Sequence, residues 1–576
     1  MSLSQKISRL QNLRDKEQKK LQRMQQHRLT VGINIFFLLI LSQVFKGFYL
    51  ELVAVLFFLP LFLFFVGRSQ RQTRFLKKID GLHTFYHRQW SIKQGRYTES
   101  YSPEQMNHPD LARDLDLGLL YPQLNFCFTE EGQRRLDAWL CQDFQDSKRE
   151  DRQQHLRELI KLSGPLRRLH ASPELNTPVR LLRIQKEVER SFFPENTPWK
   201  WILPISWLGL GALFLLPVPL VLLKVVFFVY IASVLLYLGQ TKHLFSRLQD
   251  LQKDFEGLAE KIQNMEKIAS QLSFAPSLKK KVATQDTRSL SRYISLMSVR
   301  TNPILFYILN LILPWDFFLS EICERARVSF AQHFQSWCQE MINIETLSCF
   351  ANLKLYQETT WPEVSSTTFL EFDEISHPLL DQSQVVKNNF HPQSNKVIII
   401  TGSNMSGKST FLRAIGINLV LANIGAPVFA KRFCFKPTHL VSCIRVSDSL
   451  RDGQSYFYAE VRRMRTILEK AQQGPIVFLI DEPLRGTNNK ERLIGNTSYL
   501  KQILATEGAG FLCTHDLELT KLSEVSPQIA NFHFSETMQN NDWIFDYKIK
   551  HGPSTSTNAL RILANEGLYP ESLTQA

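Results

Sequence analysis

Apolar and polar positions follow three different rhythms along the 576-residue chain. In residues 1–30 the apolar groups Ile7, Leu10, Leu13, Leu21 and Met24 recur at helical spacing, among eight Lys/Arg and two acidic residues, which predicts a basic helix. The second rhythm is continuous. "VGINIFFLLILSQVF" and "LVAVLFFLPLFLFFVG" are joined by "KGFY" and closed by the basic run "RSQRQTRFLKK". They predict a transmembrane hairpin over 31–67, its arms near the lower length limit of about 17 residues. A second hairpin is expected over 199–239, where "PVP" supplies a turn that neither helix can continue through. Trp199, Trp201 and Tyr237 suit interfacial positions there, and Lys224 lies near enough to the turn to snorkel. The shorter patch "ILFYILNLILPW", 304–315, predicts a buried core helix instead.

Between these runs the pattern is helical, over 68–198 and again over 240–354. "LFSRLQDLQKDFEGLAEKIQNMEKIASQL" predicts one long amphipathic helix across 240–300, either a coiled-coil arm or one member of a bundle. The third rhythm begins near 355, where short aliphatic strands alternate with helices. "NKVIIITG", "GPIVFLIDEP" and "GAGFLCTHD" read as buried strands, and "KSTFLRAIGINLVLANIG" as the helix after the first. The expected architecture is therefore an α/β P-loop domain over 355–576, preceded by an all-α region that carries two transmembrane hairpins.

Charge refines the picture. The formal net charge is +14, which favours an anionic partner, either nucleic acid or acidic lipid. Basic residues on both outer flanks of the first hairpin predict that its two ends face the cytoplasm, at the cytoplasmic membrane. Four spans also return the chain to that face, where ATP is available. The eight cysteines form no CxxC pair, so neither a zinc site nor a disulfide framework is legible.

The chemistry is concentrated in "TGSNMSGKST", residues 401–410. Gly402, Gly407, Lys408 and Ser409 satisfy G-x-x-x-x-G-K-[ST] after a strand and before a helix. Glycines let backbone N–H groups approach phosphates at the positive end of that helix. Lys408 is expected on the β- and γ-phosphates of ATP, and the Ser409 hydroxyl on Mg²⁺. About seventy residues later, "IVFLIDE" ends on Asp481, a candidate for the Mg²⁺ shell, and Glu482, a candidate to polarise the attacking water. His515 ends the third strand, where a γ-phosphate sensor could stand; on its own a histidine there is more often structural.

At these residues the chain resembles the MutS family of ATPases, a branch of the ABC-type fold. The P-loop segment carries Asn404 and Met405 and runs on to "IGAPVFA", while "DGQSYFYAEVRRM" resembles the family's signature segment through Gly453, Ser455, Phe457 and Glu460. "DEPLRGTNN" resembles the Walker-B and D-loop segment through Arg485, Gly486 and Thr487, and "THDLELTKL" the switch segment through His515. "ISHPLL" resembles the His-Pro lead-in (His377, Pro378), and "YKIKHGPSTSTNALRILANEGLYPESL" the closing segment. The resemblance implies ATP and Mg²⁺ as ligands, with Gly402, Asn404, Met405, Gly407, Lys408, Ser409 and Thr410 around the nucleotide. It also implies a head-to-tail homodimer in which Ser455 faces the partner's γ-phosphate, and catalytic roles for Glu482 and His515. A weaker likeness over 108–140 places a MutS-like helical core at about 80–350, with the second hairpin inserted in it.

Some features depart from the family pattern. Ser403 and Ser406 stand where the family usually has Pro and Gly, and membrane helices occupy the end that holds its mismatch-reading domain. The expected function is a membrane-anchored, DNA-associated MutS-like ATPase, in a mismatch-repair-related family, for which the sequence offers no support for mismatch recognition itself. The alternative is a membrane-remodelling or signalling ATPase that uses the same engine without nucleic acid. A transporter fits poorly, because the spans are few and the signature is not the "LSGGQ" form.

Overall fold

The computed structural model describes residues 2–45, 57–141, 148–172, 178–193, 199–215, 219–301, 306, 309–310, 312–392, 395–403, 405–445, 456–539 and 542–554. The chain divides into two compact units. One comprises residues 1–87, 127–132 and 162–345; the other comprises 88–126, 133–161 and 346–576.

The first unit is helical. Its longest helix, Leu220–Ala269, begins in the apolar run and continues without a break into the amphipathic one. Leu248, Leu251, Phe255, Leu258, Ile262 and Met265 of this helix are buried at three- and four-residue intervals, the stripe expected of a bundle helix. Phe255 meets Phe330 at 5.4 Å, and Phe330 and Phe334 stack beside Trp337. The amphipathic helix expected to reach residue 300 instead stops at Ala269. Pro276 opens a separate short helix, and Val282–Leu296 packs back against the long one. Periodicity alone could not register that break, because the apolar spacing resumes beyond it.

The two membrane hairpins expected from the sequence are supported in one arm. Among the described residues one helix, Leu220–Gly239, is long and apolar enough to cross a membrane. Its neighbour, Trp199–Leu215, has an apolar stretch confined to Trp201–Leu213, too short for the hydrocarbon core. The helix Leu3–Phe45 carries the first apolar run as a continuation of the basic helix, and Leu59–Lys93 continues the second into basic sequence. The expected turn of that hairpin, and five of the twelve residues of the 304–315 patch, lie outside the described residues.

The second unit is built on two sheets. The smaller contains β1 (Glu363–Val364), β2 (Leu370–Ile375), β3 (Asn388–Phe390) and β5 (Arg432–Phe435) in the order β1-β5-β2-β3. The larger contains β4 (Val397–Thr401), β6 (His439–Cys443), β7 (Ile476–Asp481), β8 (Ala509–Cys513), β9 (Ile529–Gln539) and β10 (Asp542–His551), ordered β10-β9-β4-β8-β7-β6. All neighbours in it are parallel except the β9–β10 hairpin. β4 and β7 are buried along their whole length, which is why they read as unbroken aliphatic runs. Phe390 and Phe411 wedge against Phe511, and Phe372 against Phe411, joining the small sheet, the helix Lys408–Ile424 and the large sheet. All eight cysteines are buried and none forms a disulfide.

Candidate functional site

Parallel register gathers the candidate residues at one sheet edge. Ile400 of β4 is level with Cys513 of β8, and Cys513 with Asp481 of β7. Whatever follows each strand is therefore delivered to the carboxyl ends of the sheet, where open α/β folds bind ligands. The loop after β4 turns through Gly402 (φ 147°), Met405 (φ 72°) and Gly407 (φ 102°). Gly407 caps the helix Lys408–Ile424 in the left-handed region. A Cβ there would also lie 3.1 Å from the Tyr547 ring, a tight approach, so the left-handed backbone favours glycine and the space adds to that.

Lys408 is buried, and its ammonium donates to the carbonyls of Gly402 and Ser403, at 2.8 Å each. That holds the charge over the loop, at the N-terminal end of the helix. Burial lowers the Lys408 pKa, opposed by Cys513, Glu482 and Asp481 nearby. Ser409 and Thr410 form the first turn, and the Ser409 hydroxyl donates to Asp481 Oδ2 at 2.5 Å. Met405 is highly exposed at the loop tip. Asn404 lies outside the described residues, as do Gly453 and Ser455.

Glu482 follows Asp481 with a left-handed backbone (φ 48°), its N–H donating to the Cys513 carbonyl at 2.9 Å. One carboxylate oxygen is 2.6 Å from His515 Nε2 and 4.0 Å from the Lys408 ammonium; the other is 2.7 Å from Arg485. Burial pushes the Glu482 pKa up. The His515 hydrogen bond and charge, with Arg485 and Lys408, outweigh it and hold the carboxyl below its ordinary range. The turn after Glu482 lies beside the helix Tyr456–Gln473. Burial raises the pKa of Glu460, opposed by the nearby backbone N–H groups of Leu484 and Arg485, and Phe457 lies against Gly486. Thus Phe457, Glu460, Arg485 and Gly486 of the sequence motifs meet in one place.

Asp481 is suited to a cation. Burial raises its pKa, opposed by the Ser409 hydrogen bond, and its Oδ1 is buried with no hydrogen-bond partner among the described residues. An orphaned acceptor beside a serine hydroxyl fits Mg²⁺, which takes one or two protein oxygens and completes its shell with phosphate and water. Accordingly, among the described residues no group of three or more His, Cys, Asp or Glu could hold a metal by itself.

A cavity of about 520 Å³ opens beside the loop, within the size range of nucleotide-scale ligands. Lys408, Ser409 and Thr410 line it, with Leu380, Val385 and Tyr547 among the other lining residues. Tyr547 sits at a bulge in β10 with φ 50°. Asn388 pins it, donating to the Tyr547 carbonyl and accepting from the Ile549 N–H, both at 2.9 Å. His377 of the His-Pro lead-in also lines the cavity; burial, aided by Arg413, lowers its pKa to about 4. Sequence reasoning missed Val385 and Tyr547 as pocket residues. Tyr547 opens the quoted closing segment, but no local signal marks a strand bulge that turns its ring to the loop.

Residues 398–576 match the family model of MutS domain V, the ATPase domain of the MutS family. The match takes in the P-loop, the Walker-B strand, Glu482, His515 and Tyr547.

Proposed function

We propose that this chain is a membrane-anchored, MutS-like ATPase that binds and hydrolyses Mg²⁺-ATP to drive closure of a homodimer, and that it acts in association with DNA. The observation that carries the catalytic part is Glu482, kept ionised by His515, Arg485 and Lys408 beside the P-loop. The β- and γ-phosphates sit against the loop N–H groups and Lys408, and the base and ribose in the cavity between Val385 and Tyr547. Ser409 and Asp481 would hold Mg²⁺, which supplies neutralisation of phosphate charge. Glu482 accepts a proton from water as its oxygen attacks the γ-phosphorus and the bond to the β-phosphate oxygen breaks, giving ADP and phosphate. His515 keeps the carboxylate aimed and faces the γ-phosphate. Asn404 and Met405 complete the loop, and Ser455 serves the partner's site.

The outward faces of the apolar helices support a bilayer as the second partner. Val221, Phe228 and Leu235 in the candidate span, and Ile33, Phe36 and Phe37 in the N-terminal helix, are exposed; such surfaces call for lipid or protein cover. The net charge of +14 supports DNA as the third. A second arrangement without nucleic acid, in membrane remodelling or signalling, is favoured by one feature. A single helix, Leu220–Ala269, joins the candidate span to the bundle core, so movement of that core would reach the bilayer directly.

Duplex binding by the detergent-solubilised protein separates the two. A DNA-associated clamp loses at least about tenfold in affinity between 50 and 200 mM salt. No duplex binding at 50 mM salt, with ATP turnover intact, would leave the membrane function standing and remove DNA.

A further inference from the structure

The compact unit that holds the nucleotide site includes residues 88–126, far upstream of the 398–576 family match. Within that stretch three consecutive residues, Asp114, Leu115 and Asp116, each reach a different part of the site's framework. Asp114 ends the helix Pro109–Asp114 and is fully buried. Its carboxylate accepts from the Ser442 hydroxyl at 2.7 Å, from the backbone N–H groups of Ile444 (3.2 Å) and Arg445 (2.8 Å), and from the Arg463 guanidinium at 2.7 and 3.4 Å. It thereby ties the end of β6 to the helix Tyr456–Gln473, which carries Phe457 and Glu460.

Leu115 is also fully buried, against the helix Lys408–Ile424 at Gly416. A Cβ on Gly416 would meet a Leu115 methyl at 2.4 Å and a Leu479 methyl at 2.9 Å. Leu115, the P-loop helix and the Walker-B strand therefore crowd one point. Asp116 has a left-handed backbone (φ 53°), which turns its carboxylate to Arg413 at 3.4 Å and Arg445 at 2.7 Å. Arg413 also donates to the Asp114 carbonyl at 3.1 Å.

The spacing connects these contacts to the chemistry. Ser409, Arg413 and Gly416 fall at i, i+4 and i+7, on one stripe of the P-loop helix. Leu479 is two residues before Asp481, on the same face of β7. Ser409 is thus one helical turn from Arg413, which touches the tripeptide; Asp481 is one strand repeat from Leu479, which flanks Gly416 together with Leu115; and the Glu460 helix is bound to the tripeptide by a desolvated ion pair. A small shift of the P-loop helix against β7 when phosphate binds cannot leave this buried, fully hydrogen-bonded junction unmoved.

We infer that Asp114-Leu115-Asp116 is the coupling element of the nucleotide site: it transmits nucleotide state to the helices Pro109–Asp114 and Leu117–Leu124. The three residues position other groups and touch no nucleotide. The inference rests on the assignment of ATP to the cavity beside the P-loop.

The test is amide hydrogen exchange on the full chain in detergent, with and without Mg²⁺ and the non-hydrolysable analogue AMP-PNP, alongside calorimetric AMP-PNP affinity. In the wild type, nucleotide slows exchange across 109–124 by at least about threefold. Asp114→Asn keeps AMP-PNP affinity within about threefold and abolishes that response. Asp116→Asn, at a less buried site, gives the same loss in a milder form should Asp114→Asn fail to fold. A merely structural tripeptide would change exchange equally with and without nucleotide, and that outcome overturns the inference. So does a wild type that binds AMP-PNP with no change at 109–124. A wild type that binds no AMP-PNP overturns the assignment of the site itself, and the inference with it.

Discussion

Glu345 in the helical unit and Glu482 in the α/β unit are both withdrawn from water, and they answer burial in opposite ways. Glu345 accepts from the Thr129 N–H at 2.8 Å, the Thr129 hydroxyl at 2.6 Å and the Phe128 N–H. Burial pushes its carboxyl up to about 7, and those bonds, with a contribution from Lys261, only moderate the shift. Glu482 is set among His515, Arg485 and Lys408, and is held below its ordinary range despite burial. One carboxyl closes a turn onto a helix; the other lies among Lys408, Arg485 and His515 beside the P-loop. The larger displacement belongs to the structural residue. A perturbed acid is therefore a weak pointer to function by itself, and the identity of its neighbours decides.

Substitutions sharpen the contrast, beginning with the largest effect. Lys408→Ala removes the buried cation over the loop and weakens ATP binding by at least about 100-fold, measured by calorimetry. The equivalent disruption in the helical unit acts on stability. Glu345→Ala leaves three buried donors unpaired and destabilises the fold by about 3 kcal/mol, measured by denaturant unfolding at fixed pH. The pH dependence has a defined sign. A carboxyl at about 7 in the folded protein, against 4.5 without it, stabilises fully below pH 4.5. That contribution fades as pH rises through 7, by about 3 kcal/mol in all, and Glu345→Gln flattens the slope.

Smaller effects concern the pocket. Tyr547→Ala weakens ATP binding by about tenfold, through lost stacking, while Tyr547→Phe retains affinity. Asp481, whose pKa burial raises, must ionise to meet the cation. The Mg²⁺ concentration for half-maximal turnover therefore rises as acidification protonates Asp481, and in Asp481→Asn that rise is lost; a variant with an unchanged Mg²⁺ requirement would argue against Asp481 as a ligand.

Legibility differed between the regions for physical reasons. In the α/β unit, chemistry is local in sequence. Lys408 and Ser409 follow a buried strand, and Asp481 and Glu482 end another, so strand and function announce each other. Tyr547, Asn388 and Asp114 were silent, because each acts through a bulge or a long-range contact that no nearby pattern encodes. In the helical unit, apolar spacing disclosed the buried stripe from Leu248 to Met265. It could not disclose the break after Ala269, nor how much apolar length an arm such as Trp201–Leu213 contributes. Periodicity reports a face. It does not report where a helix ends or what lies against it.

The central claim is that Glu482, held by His515 and Arg485, is the base for ATP hydrolysis. Single-turnover phosphate release from the purified full chain with Mg²⁺, compared between wild type and Glu482→Gln, tests it most directly. The expected result is unchanged ATP affinity with release slowed by at least about 100-fold in the variant. Release within about threefold of the wild-type rate would contradict the account.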